Sequence, residues 1–254
     1  MCGRFVSASP PDQIAAFFGA ELVSENLDPN WNVAPTNEIY AVVHAPDGLQ
    51  VQAFTWGLVP SWAKDIKIGS KMINARAETL ADKPAFKTMF RKYRVIVPAD
   101  GFFEWQALPG VLNRAGKPAK QPMYIHRLDG EPLAFAGLWS VWRDRSLPED
   151  APRLHSATII TTSANATMAP VHDRMPVILP ASRWAQWLDP ADDDLVSLGG
   201  LLVPAANDVL TMHPVSTDVN NVRNRGPQLI EPVDPDAPRA PDPRPARREG
   251  GTLF

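Results

Sequence analysis

The chain has 254 residues but only one cysteine, Cys2. A single thiol cannot close an internal disulfide or build a cysteine-rich zinc site, so a reducing compartment suits it. No run of about 18 apolar residues offers a membrane span, and the MCGRF start lacks the basic and apolar regions of a secretory signal. Both absences lead to the expectation of a cytoplasmic, membrane-free protein. GxxxxGK[ST] and GxGxxG are missing too, leaving nucleotide hydrolysis and dinucleotide binding without support. His44, His126, His155 and His213 have no companion ligands nearby in sequence, and neither metal nor cofactor is expected. Glycine is modest at 15 residues, against 27 prolines. With 44% hydrophobic residues the chain is too apolar to be wholly disordered.

Net charge is only −3, which at first argues against a polyanionic partner. The average hides an asymmetry: residues 64–94 hold nine basic residues against three acidic ones, a local +6 that leaves −9 for the rest. A focused basic surface attracts a polyanion locally while the bulk of the protein stays mildly acidic. The same run also suits an ordinary solvated helix face.

Short β-prone runs at 39–44, 50–56, 94–98, 122–127, 133–141 and 155–161 are separated by turn signals such as Pro46-Asp47-Gly48. A helix is expected after Ser9, with Ser9 as its cap, Pro10 in first position and Ile14, Phe17 and Phe18 as its buried stripe. Further helical pieces are expected at 82–92, 163–169 and 182–188. Strands joined by short turns, with helices as interruptions, imply an α+β fold of mainly antiparallel sheet. Residues 231–254 carry six prolines in 24 positions, so the domain is read as 1–230, followed by a disordered tail.

Cys2 directly follows the initiator methionine. Removal of Met1 would leave a free α-amine beside a thiol, two nucleophiles with reference pKa values of about 7.7–8.0 and 8.5. Such a 1,2-aminothiol condenses with an aldehyde to an imine, which the sulfur closes into a thiazolidine. It can equally serve as an N-terminal nucleophile on an amide, or be a small residue at a frayed terminus.

Context narrows these options. Met1-Cys2-Gly3-Arg4-Phe5 is followed by Asn32-Val33-Ala34-Pro35-Thr36, by Trp56-Gly57-Leu58-Val59-Pro60-Ser61-Trp62 and by Asn74-Ala75-Arg76-Ala77-Glu78-Thr79. Then come Pro98-Ala99-Asp100-Gly101-Phe102-Phe103-Glu104-Trp105, His172-Asp173-Arg174-Met175-Pro176 and the later His213-Pro214-Val215-Ser216 and Val219-Asn220-Asn221. In order and spacing this set resembles the SOS response-associated peptidase family of abasic-site processing proteins, from Cys2 to about Pro232. The resemblance implies an enzyme that binds single-stranded DNA and traps the aldehyde of an abasic site on the N-terminal cysteine as a thiazolidine. It implies catalytic roles for Cys2, Asn74, Glu104 and His172, and DNA contacts from Arg4, Thr36, Trp62, Asn74, Arg76 and Arg174. The peptidase part of the family name fits removal of Met1, and a monomer is expected.

The residue chemistry agrees. Glu104, between large apolar neighbours, suits a proton acceptor for the Cys2 amine, with burial expected to raise its pKa. His172 can carry protons near neutral pH. Asn74 offers a donor and an acceptor for a sugar oxygen. Arg4, Arg76 and Arg174 grip phosphate oxygens in pairs, and Trp56 and Trp62 can stack on unpaired bases. Two other readings compete. Class II glutamine amidotransferases also begin Met-Cys-Gly, but their Asn-Gly pair is absent here, none of the eleven asparagines being followed by glycine. A non-covalent single-stranded DNA module would need no Cys2. Finally, Leu253-Phe254 looks like the ending of motifs that dock on the bacterial sliding clamp.

Overall fold

The structure, a computed structural model, describes residues 2–112 and 116–234. Among them lie thirteen strands: β1 (Phe5–Ser7), β2 (Glu21–Leu22), β3 (Asn30–Val33), β4 (Glu38–Ala45), β5 (Gly48–Trp56), β6 (Asn74–Arg76), β7 (Arg94–Ala99), β8 (Gly101–Leu112), β9 (Pro118–Arg127), β10 (Leu133–Trp142), β11 (Leu154–Ser163), β12 (Arg174–Pro176) and β13 (Leu210–Pro214). The helices are α1 (Pro11–Phe18), α2 (Pro84–Lys92), α3 (Trp184–Leu188) and α4 (Leu195–Gly200), with short 3-10 turns between elements.

One sheet runs β13-β9-β8-β1-β3 and is antiparallel throughout. The larger sheet contains the run β11-β10-β7-β4-β5, and β5 pairs back onto β11 in parallel through Thr55 with Ser156 and Trp56 with Ala157. That pairing joins the ends of the run into a ring and removes two exposed edges. The strand-rich, mainly antiparallel α+β architecture is the one the turn spacing implies.

The ring strands are apolar on both faces, as strands covered on both sides must be. Along β4, Ile39, Ala41 and Val43 enter the core shared with the five-stranded sheet, whereas Tyr40 and Val42 meet the helices. Val95 and Val97 of β7 divide from Ile96 in the same way. Arg94, at the start of β7, is buried and anchors the helical side, its guanidinium donating to the carbonyls of Phe90, Trp187, Asp189 and Asp192. It therefore leaves the exposed basic surface expected for residues 64–94; the other eight basic residues there are exposed.

Three local expectations change. Ser9 does not cap α1: its backbone N–H and hydroxyl both donate to the Asp100 carboxylate, the helix begins one residue later, and Pro11 takes the first turn while Pro10 caps without a side-chain bond. The stretch 163–169 is not a helix, because β11 runs on to Ser163 and the chain then passes through turns held by Asn165, whose carbonyl side chain accepts from Met168 N–H. Strand β8, the longest of all, was not among the expected runs, and its Pro109-Gly110 lies within a register shift where the ladder can do without a proline N–H. Pro232 bridges Val215 and Val233 N–H donates to Pro214, so packed chain continues past Ile230. The rest of the expected tail, with Leu253 and Phe254, lies outside the described residues.

Candidate functional site

Strand β1 brings the start of the chain into the middle of the five-stranded sheet. Phe5 pairs with Val33 on one side and Phe102 on the other, and the Arg4 carbonyl accepts from Phe103 N–H. An antiparallel neighbour running away from Phe102 carries Glu104 toward Cys2. Cys2 is wholly buried in the core that also contains Phe5, Trp56, Ile159, Met168 and Met175. Glu104 is 3% exposed. Burial, and next the Glu104 carboxylate, push the Cys2 thiol far above its ordinary range.

Asn74 arrives from the other sheet. Strand β6 runs parallel to β11, with Asn74 opposite Ile159. The preceding carbonyl, Ile73 O, accepts from Ile159 N–H at 3.1 Å and from the Trp56 indole N–H at 3.0 Å. Held in this way, Asn74 donates through Nδ2 to the Cys2 carbonyl at 2.7 Å. Its Oδ1 is buried and lacks a hydrogen-bond partner, an acceptor left over where a donor on a ligand would fit. Trp56 is thus a scaffold residue, fully buried with its ring 5.1 Å from Phe5, and not the stacking surface expected.

Further along β11, Arg76 lies opposite Thr161 and Arg174 opposite Ser163. Arg76 is exposed. Arg174 is engaged: Nη1 and Nη2 donate to the two Glu78 carboxylate oxygens at 2.6 and 3.0 Å, and Nη2 also reaches Thr161 O at 2.6 Å. His172 stands in the turn before β12, its Nδ1 accepting from Arg174 N–H at 3.0 Å and 2.8 Å from an Asp173 carboxylate oxygen. The first contact needs Nδ1 without a hydrogen and the second needs Nδ1 carrying one, so this nitrogen has a neighbour in either form. Gln106 of β8 donates to Pro170 O at 3.4 Å, tying this turn to the Glu104 strand.

The remaining expected residues sit apart from this group in their bonding. Arg4 donates to Asn32 Oδ1 at 2.9 Å and Val219 O at 2.7 Å, with its guanidinium 5.9 Å from the Trp105 ring centre. Trp62 is 57% exposed, on a loop pinned where Ala63 O accepts from the Trp142 indole. Thr36 is exposed and holds φ at 73°, the left-handed region a β-branched residue avoids; its N–H donates to Trp56 O. Among the described residues no three His, Cys, Asp or Glu are placed to hold a metal ion, and no helix is long and apolar enough to cross a membrane.

Several organising residues escaped the sequence reading. Asn32 is completely buried and donates to the carbonyls of Val219, Asn221 and Asn224, which links the Asn32–Thr36 segment to the Val219–Asn221 segment far along the chain. Asp100 accepts from Ala8 and Ser9 N–H and so fixes the entry to α1. Next to it, a Cβ on Gly101 would stand 2.5 Å from the Tyr124 ring, so only glycine fits. Glu78 stands inside the Asn74–Thr79 motif, but its pairing with Arg174 did not show in the sequence.

Residues 1–222 match the family described as SOS response associated peptidase (SRAP). The chain belongs to that family. Abasic site processing protein YoqW of Bacillus subtilis is 41% identical over 233 residues, covering 91% of this chain and 99% of that one. Abasic site processing protein YedK of Escherichia coli is 30% identical, covering 92% and 100%. Abasic site processing protein HMCES of Xenopus tropicalis is 34% identical but spans 71% of this chain and 57% of its own length. A crystal structure from Bacteroides thetaiotaomicron shares the fold with a TM-score of 0.79 at 24% identity, covering 91% of this chain and 100% of that one. A phage-related protein from Bordetella bronchiseptica aligns with a TM-score of 0.64 at 32% identity, covering 84% and 94%.

Proposed function

We propose that this SRAP member acts on abasic sites in single-stranded DNA and traps the sugar aldehyde covalently on Cys2 after Met1 is removed. The observation that carries the reading is buried Cys2 with the buried Glu104 carboxylate acting on its thiol and the half-buried Asn74 donating its amide to the Cys2 carbonyl at 2.7 Å. The names of the relatives supply the substrate class.

The thiol's environment orders the steps. A thiol held in its neutral form is a weak nucleophile, so the freed α-amine attacks the aldehyde first. Loss of water gives the imine. The sulfur then adds to the imine carbon, its proton passing to the ring nitrogen with Glu104 as the nearby base. Amine, thiol and aldehyde yield thiazolidine and water, with no oxidant or reductant. The unpaired Asn74 Oδ1 can accept from a sugar hydroxyl, and His172, whose Nδ1 has a neighbour with or without its hydrogen, can move protons as the sugar ring opens. Arg76, Trp62 and the exposed lysines of 64–92 suit the phosphates and bases on either side. The family's peptidase label corresponds, in this reading, to the removal of Met1.

Intact mass measurement and a denaturing gel with abasic and intact oligonucleotides test the proposal. The expected result is a boil-resistant adduct with abasic DNA only, lost in Cys2→Ala and in protein carrying a residue or tag fused ahead of Cys2. An adduct that survives Cys2→Ala would place the bond elsewhere and overturn the reading.

A further inference from the structure

Arg94 and Arg174 show two different ways of holding a guanidinium. Arg94 is 3% exposed and spends its donors on backbone carbonyls, which are part of the fold and cannot leave. Arg174 faces a carboxylate that can move. Its partner Glu78 is 51% exposed on the side chain, lies in a 3-10 turn rather than a strand, and offers two oxygens in the fork geometry that a phosphate also presents. The fit is incomplete, because Arg174 Nε is buried with no hydrogen-bond partner. The hydrogen bonds from Arg174 hold the Glu78 carboxyl below its usual range, so the pair is fully charged at neutral pH. Arg76, exposed at the end of β6 opposite Thr161 of β11, adds a second positive charge on this side of the strand.

We infer that Glu78 is a positioning residue that stands in for a DNA phosphate at Arg174: it keeps the guanidinium aimed at the rim of the site and yields it when a backbone phosphate arrives. This rests on the single-stranded DNA reading above. Exchanging one anion for another leaves the Nη donors of Arg174 satisfied in both states, so free protein does not hold a partly buried cation without a counter-charge. The exchange has a cost as well, since Glu78 competes with the strand and weakens binding to undamaged DNA.

The test uses the full chain, a fluorescein-labelled intact single-stranded oligonucleotide, and anisotropy between 50 and 200 mM salt. Glu78→Gln should bind about fivefold more tightly at the low end, with a salt slope steeper by roughly 0.7, the amount expected for one more neutralised phosphate on a single strand. The gain should vanish in the Glu78→Gln/Arg174→Gln pair compared with Arg174→Gln alone. Because Glu78 is exposed, the Tm of Glu78→Gln should stay within about 3 °C of the parent. An unchanged affinity in Glu78→Gln, or a gain of equal size without Arg174, overturns the inference even if the parent protein binds and crosslinks DNA normally. A parent protein that neither binds the intact oligonucleotide nor forms the abasic adduct removes the DNA reading itself, and this inference with it.

Discussion

The floor and the rim of the site are built on opposite physical terms. The floor holds Cys2 in a core with Phe5, Trp56, Met168 and Met175, with Glu104 almost wholly buried and Asn74, half-buried, bonded to the Cys2 carbonyl. The rim holds Arg76, the Arg174–Glu78 pair and, on a separate loop, Trp62 at 57% exposure. Charges act strongly in the first setting and are screened in the second. The floor is therefore suited to moving protons and forming bonds, and the rim to attracting and orienting a strand. Variants of the two regions should fail in different ways.

The largest expected difference comes from Glu104→Gln. Loss of a positioned base slows a proton-transfer step by about 10²–10⁴-fold, so the adduct should form at least a hundredfold more slowly while affinity for intact single-stranded DNA stays within about twofold. The same change removes a negative charge that raises the Cys2 thiol. Thiolate absorbance, clean in a chain with one cysteine, should appear at lower pH in Glu104→Gln than in the parent. A variant with a more acidic thiol and yet a slower adduct separates proton transfer from thiolate supply. A faster adduct would mean that the floor works by making thiolate and that Glu104 only restrains it.

Arg76→Ala sharpens the contrast from the rim. It should weaken binding of an abasic oligonucleotide about five- to tenfold at low salt and flatten the salt slope by roughly 0.7. Adduct formation at saturating DNA should be nearly unchanged. A loss of saturating rate with unaltered affinity would move Arg76 from the rim to the floor.

Much of this division was legible in the sequence, but unevenly. The strands of the ring could be read because both of their faces are apolar and their turns carry Pro, Gly and Asp. Cys2 and Glu104 stood out through the family resemblance, since on their own a cysteine near the terminus and a strand carboxylate also suit plain structural roles. The roles of Trp56 and Asn32 were hidden, since each acts through a hydrogen bond to a distant segment: Trp56 to Ile73, and Asn32 to the loop at 219–224. No local pattern encodes a partner nearly 190 residues away. Nor could charge counting separate Arg94, consumed by carbonyls, from Arg76, open to solvent. Strand β8 was concealed by its own Pro109-Gly110, which reads as a turn although the bulge absorbs it.

The smallest effect concerns alkaline stability and comes from the floor alone. The folded protein holds the Cys2 proton well above the ordinary thiol range of about 8.5–9, whereas the unfolded chain releases it there. Unfolding therefore gains free energy as pH rises past 9, and the stability associated with the neutral buried thiol is present below that value and lost above it. One proton contributes at most about 1.4 kcal/mol per pH unit, so chemical denaturation should show the parent losing about 1 kcal/mol more than Cys2→Ala between pH 9 and 10. Tyr124, also raised by burial, contributes in the same direction from pH 10 upward and is present in both proteins, so the difference between them isolates the thiol. Rim variants such as Arg76→Ala should follow the parent curve across this range. If Cys2→Ala loses stability as steeply as the parent, the thiol is not held neutral in the folded state, and the order of attack, amine before sulfur, loses its physical basis.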